Sequence, residues 1–298
     1  MLFTVSLSTL SLLLQAAPPV APAEPAAVAV PAPVVDQTPP PAALGRTLGA
    51  MDQIRFDECH DAAIADPVSG IYAANEWLVA GGSFLARQCL GFAHARRGEF
   101  AAAAESFAQA ARDAEVARNW RSANLWVQAG NAALASGNAA LAHEHFSAAL
   151  AQGTLTGLWL GEAYLDRARA SLAQGNMAAA RTDLDQAVTH APQDPLLWLL
   201  SATLARRQDD LVRAEADIMV ARGLGPRDAA IALESGNIAA TAGNLDAAQA
   251  RWEAAADLGG ATPAGDAARA RLAELEQVRA SPESPESAPS AVEPAATP

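Results

Sequence analysis

Residues Ala135–Leu150 read A-S-G-N-A-A-L-A-H-E-H-F-S-A-A-L, and how they are read decides the fold. The stretch holds two of the chain's five histidines, His143 and His145, on either side of Glu144. On an α-helix, residues two apart point roughly 200° away from each other, so these imidazoles cannot readily share one ion. A zinc-binding helix wants a spacing of four. The competing reading is a turn at Gly137-Asn138 followed by a helix that turns Ala142, Phe146 and Ala149 toward a core. Glycine reaches positive φ at such a turn, and asparagine caps the helix that follows.

The same plan recurs along the chain, which favours the second reading. Gly98, Ala103, Phe107 and Ala110 repeat it, as do Gly175, Ala180, Leu184 and Ala187. Asp209, Ala214, Ile218, Ala221 and then Gly243, Ala248, Trp252, Ala255 follow. The turn residues stand at 98, 137, 175, 209 and 243, spaced by 39, 38, 34 and 34. A small residue precedes each by seven: Gly91, Gly130, Ala168, Ala202 and Gly236. Small residues on one helix and alanine on the next let two axes approach, and the larger column is expected to fill the gap toward the next unit. A helix pair of this kind cannot bury its apolar stripe alone and is stable only when stacked.

These columns resemble the tetratricopeptide repeat. Trp126, Gly130, Ala142 and Phe146 match its pattern in one unit, Tyr164, Ala180 and Pro192 in the next, then Trp198, Ala214 and Pro226. Arg87 and Ala232 depart from it where an aromatic is usual, and the first two spacings carry four or five extra residues. The resemblance covers about residues 84–258. It implies an all-α solenoid, a right-handed superhelix of antiparallel helix pairs, and residues 83–260 are expected to form five such repeats. A degenerate helix pair is expected over 48–82, broken at Asp66-Pro67 and packed through Ile71, Trp77 and Leu78. A capping helix is expected over 261–280, opened by Thr262-Pro263, with Ala268, Leu272, Leu275 and Val278 on one face.

The ends read differently. Leu2–Leu14 is an apolar core too short to span a bilayer, which takes roughly 20 residues, and small residues follow it. Residues 1–23 are therefore expected to be an export signal, cut near Ala16-Ala17 or after Ala21–Ala23. An uncleaved N-terminus is the other reading, since no basic residue precedes the apolar core. Residues 24–47 are a Pro/Ala-rich linker and 281–298 a disordered acidic tail by composition. The expected location is the periplasm or the exterior, as a soluble protein with no membrane span in the mature chain.

Charge and composition narrow the function. A net charge of −13 argues against nucleic acid. All twenty basic residues are arginine, which removes P-loop, Schiff-base and Ser–Lys chemistry. G-x-S-x-G, H-E-x-x-H and C-x-x-C are all missing. No catalytic residue, metal site or cofactor is expected, and the protein is not expected to be an enzyme. Cys59 and Cys89, the only cysteines, fall on neighbouring first helices. They are either a disulfide or two buried thiols, and export favours the disulfide, worth about 3–4 kcal/mol by loop entropy. A metal site of Cys59, His60 and Asp61 is disfavoured because consecutive helical residues diverge. His143 and His145 are expected at the solvated surface, and His94 half-buried.

The resemblance also implies where a partner would bind: the concave face lined by first helices. Phe92, Asn131, Arg169, Thr203 and Asn237 follow the small column and would point there, with Arg206 a turn further on. Asparagine can hold a peptide backbone and arginine a carboxylate, which suggests an acidic or C-terminal peptide; solvated polar positions without a ligand are the plain alternative. The carboxylate clamp of chaperone-binding relatives is not supported, because Val127 and Asp166 stand where it needs other groups. The expected function is a cell-envelope scaffold binding a peptide or protein segment, its partner unidentified. The alternative is a self-association module without a peptide groove.

Overall fold

A computed structural model describes residues 49–280, so the expected export signal (1–23), linker (24–47) and acidic tail (281–298) lie outside the described residues. Within those residues the chain forms thirteen helices and no strand. They gather into two compact units, the first reaching Leu155 and the second beginning at Thr156.

The first unit holds α1 (Ala50–Ala65), α2 (Pro67–Val79), α3 (Phe84–Arg96), α4 (Phe100–Val116), α5 (Ser122–Ala135) and α6 (Ala139–Ala151). The second holds α7 (Gly157–Ala173), α8 (Met177–His190), α9 (Pro195–Arg207), α10 (Leu211–Leu224), α11 (Ala229–Thr241), α12 (Leu245–Gly259) and α13 (Pro263–Ala280).

Local chemistry sets the breaks. Gly98, Gly137, Gly175 and Gly243 take φ of 76°, 81°, 78° and 79°, and Asp209 takes the same left-handed turn at 62° without being glycine. After each turn the chain closes on the preceding helix: Asn138 N–H donates to the Ala133 carbonyl, and Asp210 N–H to that of Ala205. The side chains of Asn138, Asn176, Asp210 and Asn244 then accept from Leu141, Ala179, Arg213 and Ala247 N–H, satisfying donors left open at a helix start. Glu99 makes no such cap; its carboxylate takes His94 Nδ1 at 2.7 Å instead. Asp66 caps α2 through Val68 and Ser69 N–H, with Pro67 in the first turn.

Within each pair, the small column meets the large one. A Cβ added to Gly91 would lie 2.8 Å from the Phe107 ring, at Gly130 2.5 Å from Phe146, and at Gly236 2.4 Å from Trp252. Where the small residue is alanine, at Ala168 and Ala202, the corresponding filler is Leu184 or Ile218, both fully buried. The aromatic thus lies over the glycine of its own pair, where the columns suggested that it faced the next unit. The longer spacings come from α4 and α7, which have 17 residues each against 14 in α8 and α10, and from the turns at 117–121 and 152–156. On α13, Ala268 and Leu275 are buried but Val278 is exposed, so the apolar face ends a turn earlier than its sequence suggests.

Candidate functional site

Neither candidate surface residue of the first unit is open. Phe92, on α3, is 6% exposed and stacks on His60 with ring centroids 4.3 Å apart. Asn131, on α5, is 9% exposed. Cys59 of α1 is bonded to Cys89 of α3, with Cα atoms 6.2 Å apart, so a covalent tie joins the two helices that carry His60 and Phe92. Burial lowers the His60 pKa.

His145 departs from its expected place at the surface. It is 8% exposed and packs on Trp126, centroids 5.2 Å apart. Burial lowers its pKa below the ordinary imidazole value, holding it neutral. The cause is its neighbour on the preceding helix, the Trp126 indole, which covers the imidazole. His143 is half-buried.

In the second unit the candidate side chains sit on first helices and already have partners. Arg169 pairs with Asp166 at 3.0 Å on the same helix. The Thr203 hydroxyl donates to the Leu199 carbonyl at 2.8 Å. Arg206 of α9 donates from Nε and Nη2 to the two oxygens of Glu234 on α11, at 2.7 and 3.3 Å. Asn237 Nδ2 donates to Glu234, and its Oδ1 accepts from Trp252 Nε1 of α12. Arg206, Glu234, Asn237 and Trp252 therefore form one network across three helices. Because both arginines face carboxylates, the surface is balanced in charge rather than cationic.

Glu234 escaped the sequence reading although it occupies the same register as Asp166, two residues before the small column. Following that column for charge would have found it. Glu162 was missed too: burial first, then the charges of Asp166 and Asp194, raise its pKa above the usual carboxylate value. Among the described residues, no three metal-ligating side chains gather at one point, and no helix is long and apolar enough to cross a membrane.

The sequence model of the tetratricopeptide repeat matches residues 161–204, which span most of α7, all of α8 and most of α9. No curated protein is significantly similar to the chain in sequence. Among solved structures, one titled PilW, "widely conserved type IV pilus biogenesis factor", superposes with a TM-score of 0.61 at 18% identity, over 74% of this chain and 99% of its own. Pseudomonas aeruginosa PilF gives 0.59 at 14% identity, over 74% and 99%. A chain of the APC/C hetero-tetramer Cut9–Hcn1 gives 0.56 at 14% identity over 76% of this chain, which spans only 42% of that chain's length. The chain has the tetratricopeptide-repeat fold across the described residues and matches that family's sequence model over 161–204. Folds of this class are protein–protein interaction scaffolds.

Proposed function

We propose that the protein is a non-enzymatic scaffold of the cell envelope that holds a peptide or protein segment on the first-helix surface of its second unit. The observation that carries this reading is the network of Arg206, Glu234 and Asn237, which fixes polar side chains on α9 and α11 in one orientation before any ligand arrives. Arg206 commits Nε and Nη2 to Glu234, so Nη1 keeps N–H groups for a carbonyl or carboxylate. Since the carboxylates beside it balance its charge, backbone recognition suits this surface better than attraction of a strongly acidic partner. Envelope placement draws on the export-type N-terminus and on the Cys59–Cys89 bond, because disulfides persist in oxidising compartments.

A photo-crosslinking residue in place of Thr203 is expected to trap a partner that the same residue at Gln186, exposed on α8, does not trap. Arg206→Ala should abolish that product. Recovery of the same species from both positions would remove the site. An alkaline phosphatase fusion that stays inactive would remove the envelope placement.

Self-association is a second reading, favoured by one observation. Met51, Ile54, Val68, Tyr72 and Val79 of α1 and α2 are all exposed large apolar residues. If they seat a second copy, Tyr72→Glu with Val79→Glu should turn a dimer into a monomer by light scattering.

A further inference from the structure

The second unit repeats itself at a shift of 34 residues, and the repetition breaks at Trp198. Trp198 on α9 packs against the cluster around Ala202 and Ile218, and its Nε1 donates to the Pro192 carbonyl at 2.8 Å. Thirty-four residues on, Pro192 becomes Pro226 but Trp198 becomes Ala232. A cavity of about 390 Å³ opens there among α10, α11 and α12, with Pro226, Ile231, Ala232 and Leu258 in its lining. Its size lies within the range of roughly 300–1,000 Å³ common to ligand sites.

Two polar groups of the cavity also lack partners, one of them unlike its counterpart in the preceding repeat. Ser201 donates to Asp217 and accepts from Arg181. Its counterpart Ser235 lines the cavity, is wholly buried, and leaves Oγ without a hydrogen-bond partner. Arg222, in the last turn of α10, lines the same cavity. It makes no ion pair or hydrogen bond among the described residues, unlike Arg251 in that lining, which is held by Glu215. Asp228 is the carboxylate of the lining, and it is occupied in capping α11 through Ala230 and Ile231 N–H.

We propose that this cavity is a socket for an indole side chain carried beside a carboxylate on a partner polypeptide. The indole takes the place that Trp198 fills one repeat earlier, with the Pro226 carbonyl as acceptor for its N–H. The adjoining carboxylate pairs with Arg222. The occupant's chemistry follows from the chain's own template for the ring and from the unpaired cation for the charge. The residues are distinct from the Arg206–Asn237 surface, so loss of crosslinking at Thr203 leaves this proposal standing.

The test uses the full chain, labelled for NMR because its six tryptophans obscure fluorescence. N-acetyltryptophan is expected to bind saturably with Kd on the order of 1 mM, shifting amides near Ala232 and Leu258. N-acetyltryptophanamide, lacking the charge, and the Arg222→Ala variant should each bind about three- to fivefold more weakly. N-acetyl-aspartyl-tryptophanamide matching the first probe assigns the carboxylate to an acidic neighbour; a weaker fit assigns it to a chain terminus. Ala232→Trp should fill the socket, abolish binding and keep or raise Tm. Ala232→Leu gives the same readout should the larger residue disturb folding. Binding that survives both substitutions overturns the proposal, as does absence of saturable binding or equal affinity for the uncharged probe. A dimer that Ala232→Trp converts to monomer would show the socket to be a self-contact and overturn it too.

Discussion

The two units build one kind of helix pair from different chemistry. In the first, glycine faces phenylalanine twice, at Gly91–Phe107 and Gly130–Phe146; the residues just before the second of these pairs are Ala129 and His145, both buried, with the imidazole tilted against the Trp126 ring. In the second, the corresponding positions are Arg167 and Asp183, joined at 2.7 and 2.9 Å, then Ser201 and Asp217, then Ser235 and Arg251. Arg181, Asp185, Arg213, Asp217 and Ser201 close a ring of hydrogen bonds across α8, α9 and α10. The first unit is tied instead by Cys59–Cys89. The backbone therefore constrains volume at the close approach more tightly than it constrains polarity beside it.

If that is right, the ionic column should be the costliest to break from one side. Arg167→Ala strands the Asp183 carboxylate, whose side chain is 5% exposed, without its guanidinium. The expected loss is about 3–5 kcal/mol by chemical denaturation, because a buried charge left without its partner keeps its desolvation penalty. Arg167→Met with Asp183→Leu should recover most of it. A single-variant loss in the surface range, about 0–1 kcal/mol, would mean that the column is solvated and that the contrast between units is superficial.

The first unit should answer to reduction. A bond spanning 30 residues contributes roughly 3–4 kcal/mol by loop entropy. Cys59→Ser with Cys89→Ser should speed amide exchange in α1–α3 and leave α7–α13 unchanged. Uniform acceleration through both units would show that they unfold as one body.

The helix pairs were legible because their signals are local. A left-handed turn needs glycine or a short polar residue, an open helix start needs a cap, and both recur in register; even Asp209 was placed at its turn on register alone. The partners of charged side chains were not legible. Arg206 and Asn237 were read as open because the sequence does not state that Glu234, 28 residues from Arg206, closes on it. His145 was misplaced for a related reason, since its burial depends on Trp126 of the preceding helix rather than on its own helix. The cavity at Ala232 was visible only as a missing aromatic; its meaning required the neighbouring Ser235 and Arg222.

Volume at the close approach can be tested by exchanging the chemistry of one unit for that of the other. Gly130→Ala drives a methyl group to 2.5 Å from the Phe146 ring and should cost about 1–3 kcal/mol by overpacking. Adding Phe146→Leu converts the pair into the Ala168–Leu184 arrangement and should restore part of the loss. A double variant worse than the single would mean that the aromatic is needed for contacts beyond its glycine.

The smallest expected effects are in pH dependence, and the two units should differ in sign. His145 has its pKa lowered, mainly by burial, from the model-compound value of 6.5. Below that value the unfolded chain binds a proton that the folded chain refuses, so stability is full above about pH 6.5 and declines as pH falls toward the lowered folded value. Glu162 has its pKa raised above 4.5, chiefly by burial and then by Asp166 and Asp194. Between 4.5 and the folded value the native state holds the extra proton, so this group favours folding at low pH and disfavours it as pH rises. His145→Phe should flatten the acid side of the first unit's stability, and Glu162→Gln should raise Tm at pH 7 while changing little near pH 4. Both are read from melting curves at several pH values. A Glu162→Gln variant with unchanged Tm at pH 7 would show that the acidic cluster on α7 is hydrated, and the raised pKa would lose its physical basis.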